Sequence, residues 1–331
     1  MKKYQILILL ATSMLYASEV YALNWGTMAA LATRAYVNQK NKEPLREYYP
    51  NGQVSIEETK NYIKQYYDDG TLKSELTGNL NSGEGYLKTY YPSGKLQSQG
   101  DVYFKNDEIY KRTIYYENGI IKEKSTLKNR KLEGLMKSYS SKGNIVEEIY
   151  FKNGVPDGIA KTFYETGQIA IEGTYKNGKK DGKYKSYYPN GKIMEERYYA
   201  DNVLNGYTKI YYENGNLFRE SNVKNGKLDG SVKIYYPSGK LWQETVAING
   251  LPEGIAKLYY ENGEIASLGL FEHGELQKIL AVYDKNGNIF PSIDWEENIF
   301  LFMNKYALNE ISAKYKISMA KKKINKLYGD E

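Results

Sequence analysis

One element recurs along most of this chain and leaves few folds open to it. A glycine that follows an aromatic pair or its equivalent stands at Gly52, Gly70, Gly94, Gly119, Gly143, Gly167, Gly191, Gly215, Gly239, Gly263 and Gly287. The spacings are 18, 24 and 25 residues, then 24 seven times in succession. Self-similarity at a fixed period is the signature of a repeat array, in which each unit buries its apolar surface against its neighbours.

A unit reads Gly-x-x-Lys-x-Tyr-Tyr-x-Asn-Gly-x-Leu/Ile-x-x-Glu, with a second Asn-Gly-x-x-Asp following. Tyr235-Tyr236-Pro237-Ser238-Gly239 contains the first turn, and Asn225-Gly226-Lys227-Leu228-Asp229-Gly230 the second. Asn-Gly and Ser-Gly between β-prone runs signal hairpins, because the turn needs positive φ values that asparagine and glycine tolerate. Each unit is therefore two short strands and two turns. Two strands cannot stand alone, so the units should stack into one continuous, single-layer twisted sheet. At about 4.8 Å per strand, about ten hairpins would make an elongated ribbon on the order of 100 Å long.

Composition agrees with an all-β reading. The chain has 331 residues, 36 of them tyrosine against 8 phenylalanines and 8 prolines, which suits strands that stay wet on one side. The aliphatic residue two after each turn glycine (Val54, Leu72, Leu96, Ile121, Ile145, Ile169, Ile193, Leu217, Leu241, Ile265 and Ile289) is expected to line the buried face. Adjacent tyrosines point to opposite faces. In a two-residue Ser238-Gly239 turn, Tyr236 would sit opposite Leu241 on the buried face and Tyr235 opposite Trp242 on the other.

The array resembles MORN repeats, specifically the bacterial MORN-variant repeat, over roughly residues 44 to 290. That resemblance implies a non-catalytic scaffold, with protein or lipid binding in the wider family. Bacterial members are often labelled antitoxin components, so an antitoxin-like role stands as an alternative. Some carry a lipid-kinase name, but this chain has no glycine-rich loop with its lysine, no catalytic-loop aspartate motif and no Asp-Phe-Gly. Ser140 departs from the pattern at the second tyrosine, and Ala281 replaces the basic residue in the last unit.

The ends differ from the array. Residues 1–22 read as an export signal: Lys2 and Lys3, an apolar run from Ile6 to Tyr16, then Val20-Tyr21-Ala22 before the cut. The chain is thus expected to be exported, to the periplasm, the cell surface or beyond. Residues 23–43 are expected to form a linker or short helix. Residues 291–331 are expected to form an amphipathic capping α-helix through Trp295, Ile299, Phe300, Met303, Tyr306 and Leu308. Its basic end, with Lys321, Lys322, Lys323 and Lys326, is a candidate contact for anionic membrane.

No catalytic, metal or cofactor-binding residue is assigned. The chain contains no cysteine, which excludes disulfides and a thiol nucleophile. His273, the single histidine, stands where other units have the turn asparagine and has no catalytic partners. The turn acids Asp157, Asp181, Asp229 and Glu253 supply one carboxylate per turn, too few for calcium and suited to capping. The net charge of +6, from 46 basic and 40 acidic residues, is well short of a nucleic-acid binder.

The candidate binding face is a ladder of cations and aromatics: Lys137 with Tyr139, Lys161 with Phe163, Lys185 with Tyr187, Lys209 with Tyr211, Lys233 with Tyr235 and Trp242, and Lys257 with Tyr259. Such a face suits another protein, with anionic lipid or glycan as the alternative. A second ladder follows five residues after the turn glycine: Glu57, Glu75, Glu148, Glu172, Glu196, Glu220 and Glu244. Cross-strand pairing of the two ladders is the competing use, and it is expected to come first.

Overall fold

The computed structural model describes residues 44–78, 84–103 and 110–291. The expected export signal, leading segment and helical cap, with the four terminal lysines, lie outside the described residues. Within them there are 23 strands, every pairing is antiparallel, and there is no helix.

The described strands fall into two compact units, which divide at Gly239. In the first, 19 strands run from Leu45–Tyr48 to Lys227–Tyr235. Each pairs with its successor except the two-residue segments Lys131–Leu132 and Val203–Leu204, which pair only with the strand before them while that strand goes on to pair with the strand after. The second unit has four strands, Leu241–Ile248, Leu251–Tyr259, Ile265–Glu272 and Glu275–Val282, joined by hairpins. This is the expected meander of stacked hairpins.

The two turns of a repeat differ in kind. At the second, Lys224 pairs with Lys227 across Asn225 (φ +51°) and Gly226 (φ +79°), a two-residue turn with both central residues left-handed. At the first, the Gly215 N–H donates to the Tyr212 carbonyl, and the Tyr212 N–H donates to the Asn216 carbonyl. That is a three-residue loop on a type I turn, with only Gly215 left-handed (φ +96°). The two-residue turn expected at Ser238-Gly239 is therefore corrected. Its equivalent closes with the Gly239 N–H on the Tyr236 carbonyl, which puts Pro237 at the second turn position, where its fixed φ fits and its missing N–H is not needed.

The longer turn moves the tyrosines. Tyr211 pairs with Leu217, a bulge follows, and Lys209 pairs with Glu220. Cross-strand partners share a face, so the first tyrosine of the pair, the periodic aliphatic residue, lysine and glutamate all lie on one side. This overturns the expectation that the second tyrosine faces the aliphatic residue on the buried side. The periodic aliphatic residues are half-buried, and Ile289 is 60% exposed.

Most of the buried side chains lie on the opposite face, among them Ile63, Leu76, Leu87, Ile114, Ile149, Phe151 and Val223. Between them run small hydroxyl residues, including Ser74, Thr89, Ser98, Thr162, Ser186, Thr208 and Ser221.

The second tyrosine ties one repeat to the next. Its hydroxyl donates to the backbone carbonyl of the first aromatic residue of the following repeat, or of its equivalent, at 2.5–2.9 Å: Tyr49 to Tyr66, Tyr67 to Tyr90, Tyr91 to Tyr115, Tyr116 to Tyr139, Tyr164 to Tyr187, Tyr188 to Tyr211, Tyr212 to Tyr235, and in the second unit Tyr260 to Tyr283. Turn asparagines run in parallel, as Asn190 and Asn214 donate to the carbonyls of Glu213 and Pro237. The turn acids cap the next second turn: Asp157 accepts the Asn177 N–H, and Glu253 accepts the His273 N–H.

Ser140 breaks the tyrosine series, because its hydroxyl accepts N–H groups of its own turn and does not reach the next repeat. Ser140→Tyr should restore the bond to the Phe163 carbonyl and raise unfolding stability by about 1 kcal/mol. Tyr188→Phe should lower it by a similar amount. Urea denaturation of the two variants checks both.

Candidate functional site

On the ladder face, one row of residues crosses the first unit in register. From Arg46 it runs through Glu57, Lys64, Glu75 and Lys88, then Gln99, Thr113, Lys124 and Lys137. It continues through Glu148, Lys161, Glu172, Lys185, Glu196, Lys209, Glu220 and Lys233. Cation and carboxylate alternate along most of its length.

Several of these charges form ion pairs. Lys137 Nζ lies 2.7 Å from Glu148, Lys161 3.6 Å from Glu172, Lys185 3.9 Å from Glu196 and Lys209 3.8 Å from Glu220. Lys183 adds a 2.8 Å contact to Glu196, and in the second unit Lys257 reaches Glu244 at 2.9 Å. The hydrogen bond that Lys137 donates to Glu148 holds its ammonium above the ordinary lysine pKa. Exposed pairs of this kind contribute at most about 1 kcal/mol each, and they fix register.

The first tyrosines join this network. The hydroxyls of Tyr211, Tyr235 and Tyr259 donate to Glu196, Glu220 and Glu244 at 3.5, 2.7 and 2.8 Å. Burial, reinforced by the Glu244 bond, pushes the Tyr259 phenol up to about 12. Tyr139, Phe163, Tyr187 and Trp242 are half-buried. The expectation that these aromatics stand free for a partner is therefore corrected for Tyr211, Tyr235 and Tyr259, whose hydroxyls are already used.

The ladder face also exposes apolar side chains, at positions absent from the sequence-based set. Tyr150, Val155, Ile159, Val203 and Tyr207 stand out in the first unit, and Val246, Ile248, Leu251 and Ile255 in the second. Their register places them on the same face as the lysines: Ile159 is two residues from Lys161, and Ile255 two from Lys257. The Tyr198 and Tyr207 rings meet there at a tilt of 51°, with centroids 4.6 Å apart.

The opposite face hides charge. Arg112 pairs with Glu123 at 2.7 Å, and Glu195 with Arg197 at 2.6 Å. The Lys180 ammonium sits over the rings of Tyr184 and Tyr199, which meet edge-on with centroids 5.7 Å apart. Glu147 is 7% exposed, between Ser138 and Thr162 across the strands. Burial, with a smaller contribution from Glu123, pushes its carboxyl up to about 7. The dipeptides Glu147-Glu148 and Glu195-Glu196 carried the missing signal, because adjacent strand residues point to opposite faces and one glutamate of each pair must turn inward.

His273 is an exposed turn residue with φ +53°. Among the described residues, no three histidine, aspartate or glutamate side chains gather closely enough to hold a metal ion.

The family model described as "MORN repeat variant" matches residues 44–59, 83–106, 111–129, 132–153, 156–177, 180–201, 204–225, 228–249 and 252–273, more than half of the chain. The chain belongs to the MORN repeat variant family. Each of the later MORN matches, such as 156–177, spans one strand, the first turn (here at Gly167) and the strand that follows, and ends at the start of the next second turn. No curated protein matches the chain. Among solved structures it is similar to the TCP10 domain of Danio rerio CPAP, in complex with a peptide of Danio rerio STIL. That likeness has 15% identity and a TM-score of 0.24, covering 62% of this chain and all of that one. A second, to the TcdB2-TccC3-Cdc42 structure, has 12% identity and a TM-score of 0.19, covering 76% of this chain and 17% of that one. At these TM-scores neither bears on the function of the MORN array.

Glu147 makes the stability of the MORN fold depend on pH. Its carboxyl binds a proton more tightly in the folded state (about 7) than at its ordinary value of 4.5. The resulting penalty is absent below 4.5, grows as pH rises through this window and is complete above 7. Glu147→Gln should remove it, raising stability by up to ~3 kcal/mol at pH 8 and by little at pH 4.5. Denaturant titrations at the two pH values check the sign.

Proposed function

We propose that this MORN-repeat protein is an exported, non-enzymatic scaffold whose ladder face binds another protein at the cell surface or outside the cell. The observation that carries the reading is the half-exposed apolar side chains on that face of the first unit, among them Ile159 at 48% and Tyr207 at 37%. Apolar exposure beside satisfied polar groups is the signature of an interaction surface. The lysine and glutamate ladders support it by neutralising each other, so that they set the register of the sheet and leave apolar contact to supply affinity. The apolar start of the chain supports export, since its basic residues, apolar run and small residues before Ala22 match a cleaved signal.

Affinity capture with the mature chain as bait, in intact cells and with cross-linking, tests the reading. A protein partner retained by the wild type should be lost on Ile159→Glu or Tyr207→Glu. Thermal stability should stay nearly unchanged, because exposed substitutions shift it by only about 0.5 kcal/mol. Equal retention by the variants would defeat the reading, as would recovery of anionic vesicles in place of a protein.

A further inference from the structure

Within the first unit, the alternation of charge along the ladder row fails at one place. Between Lys88 and Lys137 the row reads Gln99, Thr113, Lys124, so four strand pairings pass without a carboxylate. Where the repeat calls for glutamate the chain has Lys124, and its Cα partner on the next strand is Lys137. Like charges directly opposite one another destabilise a sheet. A break in a repeat's own rule that costs stability and has no structural compensation marks a functional position.

Among the described residues, no carboxylate on this face cancels the excess. Lys137 is held by Glu148, while the Lys124 and Lys111 side chains are exposed. Gln99 spends its amide on the Tyr115 hydroxyl at 2.6 Å. The remaining carboxylate on this side of the adjoining strand, Asp101, is exposed and two residues from Gln99. Residues 110–152 hold ten lysines and arginines against five glutamates, and so carry most of the net +6 of the whole chain. Residues 44–103 hold eight acids against six bases.

We infer that the gap around Lys111, Lys124 and Lys137 is the docking point for an extended acidic segment of a partner protein. Its carboxylates take the place of the missing glutamates of the row. A short acidic strand fits the charge pattern, since it meets the uncompensated lysines and ends before the neutralised and acidic stretches on either side. A broad anionic surface would meet those stretches as well and be repelled by them. The proposal rests on the protein-binding reading and gives it a location and a chemistry.

The test uses a fluorescein-labelled dodecaglutamate peptide as probe, with anisotropy as readout. Lys124→Glu puts the repeat's own residue back, so the variant should melt no lower than the wild type while binding the peptide about tenfold or more weakly. Lys227→Glu, at a second turn, serves as a charge-matched control and should bind within about twofold of the wild type. Wild-type binding should weaken as salt is raised. Should Lys124→Glu fail to fold, Lys111→Glu carries the same comparison. Equal binding by the wild type and Lys124→Glu overturns the site, and so does a wild type that binds phosphatidylserine vesicles or inorganic pyrophosphate in preference to the peptide. The protein-binding reading is judged separately: a partner captured equally by the wild type and Lys124→Glu, yet lost on Ile159→Glu, would sink the site and leave that reading standing.

Discussion

The bond from a tyrosine hydroxyl to the backbone carbonyl of the next repeat carries the architecture. A strand pair joined by a hairpin is marginal in water, and main-chain ladders alone permit register slip. The phenol removes that freedom, because Tyr188 reaches the Tyr211 carbonyl only when the two repeats are in step. Asn190 and Asn214 repeat the device at the turn tips, and Asp157 repeats it at the opposite end of the hairpin. Each repeat is thus held to its neighbour at several heights by hydrogen bonds that a phenylalanine-rich strand could not make.

That interlock lets the two faces take different work. The face that carries the core combines Ile149, Phe151 and Val223 with serine and threonine, and it also takes in charged groups as pairs, Arg112 with Glu123 and Glu195 with Arg197. A buried charge is tolerated when paired and costs stability when alone, and burial pushes the Glu147 carboxyl up to about 7. The ladder face uses its charges on itself and leaves apolar side chains to the solvent. Lys124 stands out there because it breaks an alternation that the rest of the row keeps.

Much of this was legible in the sequence. The period, the phase of the turns and the pairing of Lys209 with Glu220 follow from the spacing of Asn-Gly and from alternation along a strand. The tyrosines were harder to place. Pro237 marks the first turn as a three-residue loop, but read as Ser-Gly alone it suggests two residues, and the extra residue exchanges the roles of Tyr211 and Tyr212. The exposed side chains Tyr150, Ile159 and Tyr207 were not legible because those positions vary from repeat to repeat, and a consensus hides whatever varies.

The sequence by itself determined the repeat, its all-antiparallel strands and the family, because turn chemistry and a 24-residue period are local properties. Only the tertiary structure decided which side of the sheet each residue occupies and what it touches. A bulge of one residue reverses the facing of the side chains beyond it, and the bonds of Tyr212 to Tyr235 and of Tyr235 to Glu220 join residues from different repeats. Whether a phenol is free or engaged depends on the neighbouring repeat, which no single unit can specify.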